Sequence, residues 1–286
     1  MLIPRASSAL LVLSLASLSL GGLTLGGCRL RRDAHNAPGK YQQGVSSQCN
    51  NGYAVADGPY RYENNQWGSG KAQGPFEQCL LKREVNGKQQ RGWTWNFPGT
   101  DSTVFSYPEI IFGWKPWTGG KTTHEALPTR VGDYAKLTLI YDVESQVTGS
   151  YNLAPEVWLT NRSVKNGEAS PKSITAEVMF WVDYGGIAQP GGALVASPVV
   201  GGETYELWVQ DGANGSGASE ASWRLISFKW AKPMLSGTID IPAFMRVLVD
   251  QGLVDPKHYI STVEFGNEVT GGTGTTWVKH FEVQTQ

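Results

Sequence analysis

Two glutamates stand where acid–base chemistry would need them. Glu177 lies within residues 174–183 (ITAEVMFWVD), a run rich in β-branched and aromatic side chains with nothing to break a ladder, which predicts a strand. Side chains alternate across a strand, so Glu177, Met179, Trp181 and Asp183 share one face, and Ala176, Val178, Phe180 and Val182 share the other. The second face reads as core. The first sets an acid beside a thioether and an indole, an awkward mixture for a solvated face and a natural one for a cleft that holds a sugar ring. Glu268, in TVEFGNEVTGGTG, is placed at a strand end before a Gly-rich loop, on the face of Glu264 and Gly266 if the strand persists. A lone acid beside glycines is ordinarily a surface residue. Two together match what glycosidic bond cleavage requires: one carboxyl as acid and one as nucleophile or base.

Strands must carry these side chains. Further candidates run from 79 to 85, 92 to 97, 104 to 112, 135 to 143, 151 to 160, 193 to 199, 204 to 209, 222 to 230, 258 to 267 and 276 to 283, each bounded by turn residues. About a dozen strands in one domain require two stacked sheets, because a single open sheet of that size exposes too much apolar face. One helix interrupts the pattern. Asp240 can cap it and Pro242 suits its first turn; Ile241, Phe244, Met245 and Leu248 recur at helical spacing before Gly252 ends it. Its apolar stripe is expected to pack on a sheet.

Composition agrees with this class. The 286 residues are 40% hydrophobic and 11% aromatic, with 11 Trp and 35 Gly, as suits an all-β chain with many turns and an aromatic-lined site. The net charge of −1 provides no basic stripe for nucleic acid. The four His and three Cys form no cluster with metal-ligand spacing, and no cofactor is implied.

The first 27 residues read as an export signal. Arg5 supplies the positive start, residues 9–25 are apolar, and Gly26 and Gly27 precede Cys28. LGGC resembles a bacterial lipobox, which implies cleavage before Cys28 and a lipid anchor on it, at the outer membrane or cell surface; the alternative is an ordinary secretory signal and a secreted protein. Residues 28–47 are polar and without periodicity, and read as a tether to a domain spanning 48–286. Cys49 and Cys79 then remain for one disulfide in an oxidising compartment, contributing roughly 3 to 4 kcal/mol by loop closure. Between them, in NNQWGSG, Asn65 and Trp67 lie two apart; Trp67 is either a half-buried core anchor or a platform for a pyranose ring.

Five segments, in order, carry a family resemblance from about Cys49 onward. NNQWG resembles NNxWG, SYPEIIFGW resembles a segment of bacterial members, and YNLAPEVWLT resembles the strand before a nucleophile. EVMFWVDYGGIAQPGG resembles the nucleophile strand ExMxWxxxxG with its Pro-Gly loop, and EFGNEVTGGTG resembles the acid/base segment FGxExxxGxG. The chain is thereby similar to family 12 glycoside hydrolases, the jelly-roll endoglucanases. The resemblance implies a β-jelly roll of two stacked antiparallel sheets with one helix and a concave substrate cleft. It implies retaining cleavage of internal β-1,4-glucosidic bonds in cellulose, mixed-linkage glucan or xyloglucan by a monomer, with Glu177 as nucleophile and Glu268 as acid/base. Asn65 and Trp67 fall at sugar-contacting positions, with Met179 and Trp181 on the cleft face, and the Cys49–Cys79 pair matches a disulfide of the family. Where many members have Asp, this chain has Glu156, expected to face Glu177 from the neighbouring strand, protonated and donating to it. The alternatives are a carbohydrate-binding jelly roll without chemistry, which needs no paired acids, and a xylanase on a related jelly roll, which lacks the NNxWG and FGxExxxGxG contexts.

Overall fold

A computed structural model describes residues 44–99, 103–133, 136–214 and 221–285. Its thirteen longer strands are β1 (Ser46–Gln48), β2 (Ala54–Asp57), β3 (Tyr60–Glu63), β4 (Glu77–Val85), β5 (Lys88–Phe97), β6 (Glu109–Gly113), β7 (Leu137–Thr160), β8 (Ile174–Trp181), β9 (Ala193–Ala196), β10 (Glu206–Ala213), β11 (Trp223–Lys229), β12 (Ser236–Asp240) and β13 (Tyr259–Thr285). The fold is the expected all-β jelly roll with a single α-helix among the described residues, α1 (Ile241–Asp250), but the sheets are not antiparallel throughout, since β8 and β11 pair parallel.

Two long strands organise it. β7 and β13 pair antiparallel along nearly their whole lengths, from Tyr259 opposite Thr160 to Thr285 opposite Leu137. Their outer neighbours change halfway. The half of the pair containing Tyr151–Thr160 is flanked by β6, which continues to β3 and β2, and by β8, β11, β10 and β9. The half containing Leu137–Gly149 is flanked by β5, β4 and β1 on one side and by β12 on the other. The two halves lie face to face: Phe265 meets Tyr141 at 5.2 Å and Phe281, on its own strand, at 5.8 Å. Leu139, Val143, Leu153, Val157, Val178, Phe180 and Ile226 fill the space between the layers.

The turns expected near residues 144–150 and 268–275 are bends within continuous strands. Gly149 has φ +117°, and a Cβ there would lie 2.6 Å from Cα of Gly272, itself at φ +87°; only glycine permits the two backbones to cross so closely. A bulge between Val269 and Gly271 supplies the added twist. Glu268 is therefore interior to a strand, not at its end.

Other boundaries differ for local reasons. Of residues 104–108, Ser106 makes a single bridge to Val269, and the strand starts only after Pro108, which has no N–H to give to a ladder. The strand carrying Glu177 stops at Trp181, and Asp183–Gly185 pairs separately with Tyr151–Leu153. Ordered pairing begins at Ser46, inside the expected tether, because β1 takes up the edge of β4. The sequence pattern also hides β2, β3 and β12. Cys49 and Cys79 are joined as expected. In α1 the Asp240 carboxylate accepts from the Ala243 N–H, and Phe244 packs against Phe180 (5.0 Å) and Phe228 (4.8 Å). Cys28 lies outside the described residues.

Candidate active site

The face of the inner sheet opposite the core carries the acids. Reading across neighbouring strands, one row runs Ile111, Glu264, Glu156, Met179, Ser227, Trp208 and Leu194. The next row places Glu177 between Trp158 and Leu225. Side chains two apart on a strand share a face, so Glu268 joins Glu264, and Asn152 joins Glu156.

Tryptophans build the wall beside Glu177. Trp117, Trp158 and Trp223 meet edge to face with ring centroids 5.2 to 5.5 Å apart, an arrangement the ring quadrupoles favour. Two of these indole N–H groups find carboxylates. Trp223 Nε1 donates to Glu177 Oε2 at 2.8 Å, and Trp158 Nε1 donates to Glu156 Oε1 at 2.7 Å. Glu268 Oε2 accepts from Asn152 Nδ2 at 2.5 Å, and Asn152 is held in turn by Asn267, whose Nδ2 donates to its carbonyl.

Burial governs the electrostatics. The Glu177 carboxyl is pushed up to about 8, first by burial and then by the charge of Glu268, against the pull of the Trp223 N–H. Glu268 is raised by burial, with Asn152 opposing. Glu156 is raised well above the ordinary range by burial and then by Glu177. Carboxyls so placed do not ionise together, so Glu177 and Glu268 titrate as a unit. A pair holding one proton between them is equipped for acid catalysis with one member and nucleophilic attack with the other.

The placement of Glu156 differs from expectation. Directly opposite it on β8 is Met179, and Glu177 lies diagonally beyond. The Glu156 carboxyl is engaged by Trp158 and by Glu264, which pairs with it from β13. The Glu156–Glu177 relation is electrostatic across that diagonal.

Trp67 is 45% exposed, and Lys71 Nζ lies 5.6 Å from its ring centre. The next residue, Gly68, is forced: a Cβ would come within 2.4 Å of the Val104 carbonyl, where the loop packs on the chain leading to β6. Asn65 turns inward, its Nδ2 donating to Glu109 Oε1 at 2.8 Å. Met179 and Trp181 are almost wholly covered, in a small apolar cluster with Ala154 beneath the cleft surface. Sequence reasoning missed Asn152, Trp223, Glu109 and Lys115. Trp223 sits at the start of an anticipated strand and Asn152 shares parity with Glu156, but no pattern in one strand tells which residue of another will lie opposite.

Stacked β-sheets with paired glutamates under a tryptophan wall define a jelly-roll glycosidase. The family model described as "Glycosyl hydrolase family 12" matches residues 58–286. Endoglucanase S of Pectobacterium parmentieri is 30% identical over 229 residues, 78% of this chain and 81% of that one. Endoglucanase A of Aspergillus kawachii is 26% identical, covering 82% and 91%. Among solved structures, a family 12 xyloglucanase from Bacillus licheniformis superposes with a TM-score of 0.73 at 30% identity, over 84% of this chain and all of that one. The chain belongs to glycosyl hydrolase family 12.

Proposed function

We propose that Glu177 is the nucleophile and Glu268 the general acid/base of a hydrolysis that proceeds with retention. The chain is an endo-acting glucan hydrolase that cleaves internal β-1,4-glucosidic bonds. Glu177 attacks the anomeric carbon as Glu268 gives its proton to the departing glycosidic oxygen; Glu268 then takes a proton from the water that displaces Glu177.

The observation that carries the assignment is the difference in partners. Trp223 and Asn152 each donate to their carboxylate and favour its ionised form, but the donor to Glu177 belongs to a closed tryptophan wall, whereas Asn152 stands beside Glu268 on the neighbouring strand. Glu268 is also partly exposed, while Glu177 is buried. Trp67 is read as a stacking platform at one end of the cleft, with Asn65 orienting beside it, Met179 and Trp181 forming the floor, and Glu156 supporting the nucleophile's charge. A purely carbohydrate-binding role would leave the buried acids without purpose.

A 2-fluoro-glycoside that traps the covalent intermediate is expected to label Glu177, and Glu177→Ala to lower kcat on the order of 10⁴-fold with the fold intact. Label on another residue overturns the assignment. Viscosity of soluble glucan should fall well ahead of the release of reducing ends.

The signal and lipobox support export and anchoring through Cys28, with the hydrolase acting as a monomer on extracellular glucan. Cys28→Ser should release it from membranes. Unchanged membrane association would remove Cys28 from that role.

A further inference from the structure

Behind the catalytic pair lies a second group of acids that the hydrolytic steps do not use. Glu264 is 1% exposed and Glu109 is fully buried. Lys115, itself 4% exposed, forms a very close ion pair with Glu109 Oε1, and its Nζ lies 3.8 Å from Glu264 Oε2. Glu264 stands directly opposite Glu156 in the β7–β13 ladder and two strand positions from Gly266, which faces Glu109. Its carboxyl is thus packed between Lys115 on one side and its ladder partner Glu156 on the other. The chain therefore runs from Asn65, through Glu109 and Lys115, to Glu264, then Glu156 and the Trp158 indole.

Three carboxyls here face one cation. Among the described residues, neither oxygen of Glu264, nor Glu109 Oε2, has an N–H or O–H donor. Two ionised carboxylates in contact repel, and burial removes the water that would screen them. Buried carboxyls gathered around a single ammonium are relieved by taking up a proton. Lys115 satisfies one negative charge, and its close partner is Glu109. Glu264 in turn bears on Tyr107 and Glu177, neither of them a cation, and Glu63, beside Glu109, is matched by its own partner Arg61 at 3.2 Å.

We propose that Glu264 is a positioning residue, a neutral, proton-bearing strut between the Glu109–Lys115 ion pair and Glu156 that holds the Glu156 carboxyl in place behind the nucleophile. Burial raises Glu264 in the sense this requires. The inference rests on the reading of Glu177 as nucleophile, since that is what gives Glu156 its purpose.

Glutamine has the shape and hydrogen-bonding groups of a protonated glutamate, so the chemistry of substitution is decisive. Lys115 would attract the Gln oxygen and leave the amide N–H to donate to Glu156. Glu264→Gln should keep kcat and the pH profile within about threefold of the parent. Glu264→Met, which has no donor, should lower kcat about tenfold with KM unchanged, the loss expected for a buried hydrogen bond. If the Gln variant loses as much as the Met variant, Glu264 is an anion paired to Lys115 and the proposal is wrong. A Met variant with the parent's kcat likewise overturns it.

Should the Met variant fail to fold, infrared spectroscopy at neutral pH decides without reference to turnover. In a Glu268→Gln background, whose catalytic proton is gone, adding Glu264→Gln should remove intensity from the carboxylic-acid C=O stretch. Identical spectra would show that Glu264 carries no proton. Glycoside label found away from Glu177 would instead sink the catalytic reading while leaving the infrared result standing.

Discussion

The two halves of the β7–β13 pair are built from the same strands and the same antiparallel ladder, yet they treat charge in opposite ways. In the half with Gly271–Thr285, outward-facing charges are exposed and matched. Lys279 meets Asp142 at 2.9 Å with both side chains 43% exposed, and His280 approaches Glu282 at 3.5 Å. In the half with Tyr259–Val269, Glu156 and Glu264 are buried beside Glu177 and Glu268, with Lys115 the one cation on the group among the described residues. The difference comes from what flanks the pair. Beside the first half the outer face meets water. Beside the second, Trp158, Trp223 and Trp117 close over it, and desolvation turns a set of acids into a store of protons. Like charges are assembled where their mutual repulsion can be used.

The sharpest way to break this contrast is to remove a proton from the buried half. Glu268→Ala is expected to lower kcat on glucan by about 10² to 10⁴-fold, to spare substrates with good leaving groups, and to be rescued by azide. Loss on both kinds of substrate without rescue would take Glu268 out of the acid/base role.

A smaller change tests the wall. Trp223→Phe keeps the ring edge but deletes the N–H that favours ionised Glu177, so the Glu177 carboxyl should rise further above about 8. The sign follows: the nucleophile ionises at higher pH, and the acidic limb of kcat/KM should move up by about one unit. A limb that stays in place would mean that the indole serves packing alone.

The same property links stability to pH. Because the Glu177 carboxyl is pushed up to about 8, above the ordinary 4.5, its pair with Glu268 keeps a proton in that window that the unfolded chain has lost. Its contribution to stability is full below the unfolded value and is lost as pH rises through the folded one.

The smallest effect belongs to the exposed half. Lys279→Met should change stability by less than about 1 kcal/mol and leave activity untouched, as exposed ion pairs do. A melting temperature that falls by as much as for a buried-site variant would show that the two halves differ less than their burial indicates.

Much of this was readable from the residues. Alternation in ITAEVMFWVD correctly separates the core face of Val178 and Phe180 from the face of Glu177, because period-two patterning is a direct image of a half-buried strand. The cap, stripe and stop of α1 are equally local signals, and the structure has all three. What the chain conceals is adjacency. Lys115, in FGWKPW, looks like a surface lysine, and only the fold puts its ammonium against Glu109. The TGS and TGGTG glycines look like turns, since sequence cannot distinguish a glycine that reverses the chain from one that lets two backbones cross. The opposition of Met179, not Glu177, to Glu156 depends on register, which no single strand records.

β13 is the last strand and also a central one, paired with β7 throughout and with β5 and β6 at its flanks. Neither layer can be completed while residues 259–285 are missing: β5 and β6 would each lack a neighbour and the inner acids would have no opposing strand. Assembly must await contacts between positions more than a hundred residues apart, which places the fold among the slow, topologically non-local ones. Until residues 259–285 have left the ribosome, the nascent polypeptide holds an unfinished sandwich.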